Sequence, residues 1–350
     1  METYYIGADV HCNNTELAIE HRGRIIQRYS LPTDIRSIRQ VLESLGGHKH
    51  MTFEEGPMAG WLYRNLRDSV EHLIVSDPRR NKLIACSGDD KNDRVDAGKL
   101  AVLLRGQFVH AVYHSEDEDR VALKRWVGLY HSRVQEATRQ INRLRAEARM
   151  YGVRIPAAVI RDCAERQRWL SSLANRDMAC RLEILWLGLD AARKQARQSK
   201  RQMMKLAKAY PIVRYWSELP GIGAVRSVTL LAYLDTPYRF RTKSKLWKYC
   251  GVGLVRETSG RDNRGRERPG TLKLNWYCNK RLKNVVMGAA MSATRHKQNI
   301  FRSDYERMIQ AGVLAGNARH AVARKLLTVM WGMWKSSRRW DTPLNSNRSF

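Results

Sequence analysis

The chain has 350 residues, of which 43% are hydrophobic, so it is long enough for about two or three domains with a substantial core. Its formal net charge of +29 indicates a polyanionic partner, with nucleic acid as the first candidate. The six cysteines lack zinc-site spacing, the N-terminus lacks a signal-peptide pattern, and no apolar run approaches the length of a membrane span. We therefore expect free thiols and a cytoplasmic location.

The charge is unevenly distributed along the chain. Residues 1–115 contain 15 basic and 15 acidic residues, so the whole excess of +29 lies after residue 115. This asymmetry predicts a neutral N-terminal domain that carries out chemistry, followed by a cationic region that holds nucleic acid. The alternative is a basic surface that only keeps the protein in solution.

Residues 1–115 are predicted to form an α/β domain whose order of elements resembles the RNase H-like class. Three strands come first, and short helices and strands then alternate. Strands are expected at residues 4–10, 16–20, 24–29, 51–53, 72–75 and 108–113, and helices at 34–45, 58–68 and 93–104.

Four carboxylates occupy informative positions in this domain. Asp9 and Glu54 each end a predicted strand, while Asp93 and Asp96 share one helix face because they are three residues apart. Clustered carboxylates repel one another unless a cation lies between them, and Mg²⁺ is the usual cation in phosphodiester chemistry. The four residues therefore predict a catalytic magnesium site for nucleic-acid strand cleavage or transfer. For Asp93 and Asp96 alone, a solvated helix N-terminus explains the pattern equally well.

Residues 116–209 are predicted to form a helical region. Two long helices are expected over about 120–150 and 177–210, with a break at Pro156. Such a pair is typical of a dimerising coiled coil, but an intramolecular bundle explains the pattern almost as well. Arg and Lys crowd residues 193–208, where they suit nucleic-acid phosphates.

Residues 210–335 are predicted to form a third, mainly helical domain, and 336–350 a loose tail. Leu219-Pro220-Gly221-Ile222-Gly223 resembles the turn of a helix-hairpin-helix element, whose free N–H groups bind a DNA phosphate. A simple helix start is the alternative. Helices are expected at 225–234, 280–294 and 318–334. Core packing rather than base stacking is expected for five tryptophans, namely Trp126, Trp186, Trp276, Trp331 and Trp334.

A loop dense in arginine lies in the middle of this third domain. Guanidinium groups bind phosphates through two hydrogen bonds, so the loop is a candidate nucleic-acid contact. Taken alone, Ser259-Gly260 within it is an ordinary turn. The predicted nucleic-acid-binding residues are Gly221, Gly223, Arg256, Arg261, Arg264, Arg266, Arg268, Asn279 and Lys280.

In this order, the motifs resemble those of the DEDD transposases of bacterial insertion sequences. This insertion-sequence-110 family also contains site-specific DNA invertases. The resemblance covers most of residues 1–295 and is carried by Gly7-Ala8-Asp9-Val10, Phe53-Glu54-Glu55-Gly56-Pro57, Lys91-Asn92-Asp93-Arg94-Val95-Asp96-Ala97, Leu219-Pro220-Gly221-Ile222-Gly223, Ser259-Gly260 and Asn279-Lys280-Arg281-Leu282-Lys283.

The chain also departs from the family pattern. Asn92 stands where Thr is commoner, and Cys278 stands where Gly often precedes Asn279. Glu55 beside Glu54 leaves two candidates for one metal ligand, of which the motif selects Glu54.

The resemblance implies a RuvC-like domain, a coiled-coil linker and a C-terminal transposase domain. It implies Mg²⁺ bound by the four carboxylates, and a serine nucleophile, Ser259, that attacks a DNA phosphate and forms a covalent intermediate. Some members of the family are guided by a noncoding bridge RNA, and the family acts on element ends and target DNA at the bacterial nucleoid. Since Ser259 lies in another domain than the carboxylates, the site is expected to be completed only in a homo-oligomer on DNA, a dimer or a tetramer.

Two other functions fit the sequence. One is a RuvC-like junction endonuclease that hydrolyses DNA without covalent attachment. The other is a catalytically inactive nucleic-acid-binding derivative of a transposase. The four intact carboxylates favour an active enzyme over this last alternative.

Overall fold

The computed structural model describes residues 2–84, 93–257, 271–295 and 299–340. The chain divides into two compact units, Met1–Asp117 and Glu118–Phe350. The first unit contains the predicted α/β domain. The second contains both the predicted helical region and the predicted third domain, whose separation at residue 209 stays a prediction.

The N-terminal unit is a mixed sheet with helices. Its five strands have the order β3-β2-β1-β4-β5; β1 pairs with β4 and β4 with β5 in parallel, and the other pairs are antiparallel. This arrangement agrees with the predicted RNase H-like class. In chain order the elements are β1 (Thr3–Val10), β2 (Asn14–His21), β3 (Arg24–Pro32), α1 (Ile35–Ser44), β4 (His48–Glu54), α2 (Ala59–Leu66, followed by a 3₁₀ turn over Arg67–Ser69), β5 (His72–Ser76), α3 (Pro78–Ile84) and α4 (Asp93–Arg105).

The two faces of this sheet have different partners because successive strand residues point to opposite sides. Ile6 and Ala8 of β1 are buried in a core with Leu42 of α1 and Leu62 of α2. The intervening Gly7 faces α4 instead. Helices therefore cover both faces.

The strand predicted over residues 108–113 is wrong. Within this segment only Ala111 forms a β-bridge, to Ser76 at the end of β5. Phe108 and Tyr113 are exposed, so the segment lacks the buried face that would stabilise a full strand.

The second unit is mostly helical, as predicted. All the predicted long helices are present, whereas short elements, whose periodicity is too brief to recognise, were missed. The elements are α5 (Glu118–Met150), α6 (Ala157–Arg161), α7 (Cys163–Ser171), α8 (Arg176–Ala207), α9 (Pro211–Ser217), α10 (Gly223–Leu234), α11 (Lys243–Tyr249), β6 (Leu254–Glu257), β7 (Thr271–Leu274), α12 (Lys280–Arg295), α13 (Ile300–Gln310) and α14 (Ala315–Ser336).

The long helices α5 and α8 pack against each other in opposite directions. Arg181 Nε donates to Glu147 Oε1 at 2.6 Å, and Arg133 Nη1 donates to Gln195 Oε1 at 3.2 Å. Residues later in α8 thus contact residues earlier in α5, as in an antiparallel pair. The two helices form an intramolecular pair, and a dimerising role for this region stays a prediction.

Three smaller expectations concern thiols, membrane spans and the tail. The five cysteines in the described part of the chain are free, while Cys86 lies outside it. No helix among the described residues combines the length and apolarity needed to cross a bilayer. The tail is not loose from its start, because Trp340 stacks on Phe301 with ring centroids 6.2 Å apart; residues 341–350 lie outside the description.

Candidate active site and nucleic-acid-binding elements

Asp9 and Glu54 leave the sheet side by side. Strands β1 and β4 are parallel, with Ala8 opposite Phe53, so the next residues on both strands are the two carboxylates. Neighbouring strands are about 4.8 Å apart, which places these two backbone positions within reach of a shared ligand.

Helix α4 is held against β1 at Gly7. A Cβ atom on Gly7 would lie 2.1 Å from the carbonyl oxygen of Ala97 and 2.4 Å from the amide nitrogen of Ala101, so only glycine permits this approach. Gly7 and Asp9 share a face of the sheet because they are two residues apart. The backbone beside Asp96 therefore crosses the strand just before Asp9.

The direction of α4 brings its N-terminus to the same edge. At its C-terminal end, Arg105 Nε lies 3.5 Å from Glu20 Oε1, and Glu20 pairs with Tyr5 near the start of β1. The opposite end of α4, which begins at Asp93, accordingly points towards the strand end that carries Asp9. The side chain of Asp93 lies outside the described part of the chain.

Each described carboxylate of the set has a polar neighbour. His11 Nε2 lies 3.4 Å from Asp9 Oδ2, and Lys99 Nζ lies 3.6 Å from Asp96 Oδ1. The Lys99 ammonium partly offsets the negative charge of Asp96, and such an exposed ion pair is worth little to stability by itself.

Asn81 of α3 donates a hydrogen bond to Glu54, and this contact was not predicted from the sequence. Its buried Nδ2 donates to Glu54 Oε1 and to Ser76 Oγ, both at 2.9 Å, and Ser76 Oγ in turn donates to the carbonyl oxygen of Phe53. Asn81 Oδ1 is buried and has no hydrogen-bond partner among the described residues. The only signal in the sequence was the helix start at Asp77-Pro78, which does not reveal the contact.

Glu55 has a different environment from Glu54. His114 Nε2 lies 2.6 Å from Glu55 Oε2, and alternation along the strand directs Glu55 away from Glu54. This geometry favours Glu54 over Glu55 as the metal ligand.

The described side chains do not form a completed metal cage. Among residues 2–84, 93–257, 271–295 and 299–340, no three His, Cys, Asp or Glu side chains come together closely enough to hold an ion. The strand ends that carry Asp9 and Glu54 nevertheless lie side by side, and the start of α4 is directed towards them. An all-oxygen donor set is the one that Mg²⁺ prefers. The residues present fit such an ion, and the ligand assignment stays a prediction.

The two glycines of the helix-hairpin-helix-like turn have different surroundings. A Cβ on Gly221 (φ +82°) would lie 2.3 Å from the carbonyl oxygen of Ala289, so this glycine permits close packing on α12. Gly223 (φ +60°) has open space around it and begins α10, which has no side-chain N-cap. Its N–H groups are therefore not occupied by a capping side chain.

The other predicted nucleic-acid residues fall into two sets, those that the structure describes and those that it does not. Arg256 is exposed on β6, while Asn279 caps α12, its Oδ1 accepting from the Leu282 N–H at 3.1 Å. The Lys280 ammonium lies 3.9 Å from the centroid of the Trp276 ring. Outside the described residues lie Ser259, Arg261, Arg264, Arg266 and Arg268.

The expectation that all five tryptophans pack in the core is wrong for Trp276. Trp186 is buried, and Trp126, Trp331 and Trp334 pack against the core of the second unit. Trp276 is 75% exposed, because it lies in a turn before α12 rather than on an amphipathic helix.

Comparison with known proteins finds two family models that match the chain. A transposase model for the DEDD proteins of the IS110 group matches residues 6–151. A model described as the transposase IS116/IS110/IS902 family matches residues 213–306. The first match contains the four predicted carboxylates, and the second contains the helix-hairpin-helix-like turn and the arginine-rich loop. None of the curated proteins compared with the chain matches it.

Proposed function

Because the chain belongs to the IS110 family of DEDD transposases, we propose that it cuts and rejoins DNA at an insertion sequence with Mg²⁺, a serine nucleophile and a bridge RNA as guide. The family makes it a DNA transposase or recombinase, and such DEDD enzymes use a divalent metal. The metal identity, the nucleophile and the guide are the proposed parts.

The close approach of α4 to β1 at Gly7 is the observation that carries this proposal. It brings the helix start that holds Asp93 and Asp96 to the strand end that holds Asp9. Glu54 leaves the neighbouring strand at the same edge. So close an approach of helix and strand backbones supports a carboxylate site rather than four unrelated surface acids.

In the proposed reaction, these residues have separate tasks. Asp9, Glu54, Asp93 and Asp96 would hold Mg²⁺, which when bound would stabilise negative charge on the phosphate under attack. Asn81 keeps the Glu54 carboxylate oriented towards the edge of the sheet. The Ser259 oxygen would form a bond to phosphorus while the bond from phosphorus to the leaving deoxyribose oxygen breaks, and the serine proton would end on that oxygen.

The distribution of charge supports a nucleic-acid guide and substrate. The unit that contains α5 and α8, Glu118–Phe350, carries a net charge of +31, whereas residues 1–117 carry −2. Such density suits a long polyanion, and counterion release would make binding strongly salt-dependent. We assign the guide to RNA from the element because of the family, and the action to the cytoplasm at the nucleoid.

An exposed apolar stripe on α8 supports a homo-oligomer. Ile184 and Leu187 are 68% and 70% exposed and lie opposite the face that packs on α5. Cys180 and Ala191 extend the stripe by one turn at each end, since all four share a helix face. In an antiparallel pair of α8 helices, Ile184 would meet Leu187 of a second copy, and Cys180 would meet Ala191.

The charges beside this stripe agree with the same two-fold pairing. In that register Asp177 would face Lys194 of the second copy, whereas Arg181 and Asp190 already form ion pairs within the chain, with Glu147 and Arg166. An isologous contact would repeat this pair on both sides of its two-fold axis. The active unit is therefore proposed to be an oligomer in which α8 contributes to the contact.

A matched pair of glutamate variants tests the proposed site. Strand cutting would be measured on element-junction DNA with Mg²⁺ and RNA transcribed from the element's flanks. Glu54→Gln should lower the rate by about 10²-fold or more, whereas Glu55→Gln, which changes a neighbouring contact to His114, should retain most activity. Equal losses in both variants, or no loss in Glu54→Gln, would contradict the assignment.

A further inference from the structure

Residues 275–279 form a turn, here called the aromatic turn, that presents two exposed rings. Trp276 is 75% exposed and Tyr277 is 76% exposed. Large aromatic side chains gain free energy when they are buried, so two adjacent rings in water indicate a surface that is covered by a partner.

The aromatic turn is anchored on both sides. The Asn275 N–H donates to the Gly253 carbonyl at 3.0 Å, and its side-chain amide donates to the carbonyl oxygens of Lys248 at 3.2 Å and Tyr277 at 2.6 Å. At the other end, the Asn279 N–H donates to the Tyr249 carbonyl at 2.9 Å. The rings thus project from a fixed backbone, which lowers the entropic cost of binding.

Cys278 shows how the turn lies against the protein. A Cβ on Gly251 (φ +73°) would lie 2.7 Å from Cys278 Sγ, so the cysteine packs into the space that this glycine leaves. The residue between the rings and the helix cap therefore points inward while Trp276 and Tyr277 point outward. The family departure at Cys278 is accommodated without loss of the turn.

The surroundings of the rings are cationic. The segments that anchor the turn, residues 243–257 and 271–283, contain eight Lys and Arg residues and one acidic residue, Glu257. Lys280 bridges the two features, because its Nζ lies 3.9 Å from the Trp276 ring centroid and donates to the Trp276 carbonyl at 2.9 Å. Exposed aromatic rings among cations are the chemistry that binds single-stranded nucleic acid, where bases stack and phosphates pair with the charges.

From these observations we infer that the aromatic turn is a stacking platform for unpaired bases of the DNA that the protein acts on. The turn directly follows the hairpin of β6 and β7: Leu254 pairs with Leu274 beside the turn, and Glu257 pairs with Thr271 at the far end of the hairpin. Three residue steps of strand separate these ends, which is about 10 Å. The inference rests on the proposed function in taking DNA as the strand held at this hairpin.

Stacking and phosphate contacts make different predictions, and the test separates them. The full chain would be titrated by fluorescence anisotropy against a single-stranded DNA, its duplex, and the same sequence as single-stranded RNA, at one salt concentration. Trp276→Ala and Tyr277→Ala should each weaken single-stranded DNA binding by about fivefold to a hundredfold. Duplex binding should change by less than about twofold, and Trp276→Phe should keep most of the affinity, since it keeps a ring.

Tyr238→Ala is the matched control, because Tyr238 is an equally exposed aromatic residue (74%) outside the aromatic turn. It should bind like the unmodified chain. Unchanged single-strand affinity in both alanine variants, or an equal loss on duplex, would overturn the inference, as would a loss confined to RNA. The titrations measure binding and not strand cutting, so failure of the proposed serine chemistry would leave this result intact.

Discussion

Gly7→Ala tests how closely α4 must approach β1 for activity. The added methyl group would lie 2.1 Å from the carbonyl oxygen of Ala97, whereas ordinary contact begins at 3.4 Å. This oxygen and the Ala101 amide nitrogen, 2.4 Å from the added carbon, are both backbone atoms of α4, so neither can move aside as a flexible side chain would. The helix must therefore withdraw by more than an ångström. The helix start at Asp93 and Asp96 would move with it, away from Asp9.

The cost of this displacement has two parts. Overpacking a tight contact costs about 1–3 kcal/mol of stability, so the unfolding midpoint should fall. A displacement of about 1 Å in a catalytic constellation costs about 10²-fold in rate, so strand cutting should be nearly lost while DNA binding remains. The second part concerns function and is the one under test.

The assay combines thermal unfolding, DNA binding and Mg²⁺-dependent strand cutting on one preparation. Gly46→Ala is the matched control, because Gly46 belongs to the same unit and a Cβ there meets nothing within 4 Å. It should leave all three measurements unchanged. Full cutting activity in folded Gly7→Ala would refute the reasoning, since the carboxylates would then not depend on the position of α4.

Three further outcomes are expected. Ala191→Cys should form a disulfide with Cys180 of a second copy on mild oxidation, seen as a dimer on a non-reducing gel. An equal yield of dimer from the unmodified chain through Cys180 alone would contradict this register. Burial, with a smaller effect of Arg281, lowers the pKa of His131 to about 4, so the folded state binds fewer protons than the unfolded state below pH 6.5. The free energy of unfolding in urea should therefore fall by about 1 kcal/mol from pH 7 to 5 after allowance for partial exposure, and His131→Gln should remove that decrease. Asn81→Ala should lower stability by about 1–3 kcal/mol, measured by urea unfolding, because it removes a buried donor to Glu54; an unchanged midpoint would rule out that support.

The strand ends were readable from the sequence, but their convergence was not. Asp9 and Glu54 follow apolar strands, so their position at a sheet edge could be predicted locally. The contact of Gly7 with Ala97 joins residues ninety positions apart, and no local pattern encodes it. Asn81 was missed for the same reason.

Local periodicity also misled in two places. Residues 108–113 have strand-like composition, but only Ala111 finds a pairing partner beside β5. Trp276 resembles a core residue in composition, and only the anchored turn before α12 explains its exposure. A sequence pattern predicts the structure that a segment adopts when it has a suitable pairing or packing partner. That partner comes from the rest of the chain, which the local pattern does not describe.

Covalent trapping of the protein on DNA tests the central claim most directly. The chain would be incubated with Mg²⁺, element-junction DNA and RNA from the element's flanks, then denatured and mapped by peptide mass. A DNA adduct at Ser259, lost in Ser259→Ala and in Asp9→Asn, is the predicted result. Strand cutting that continues in Ser259→Ala without any adduct would contradict the account and identify a hydrolytic nuclease.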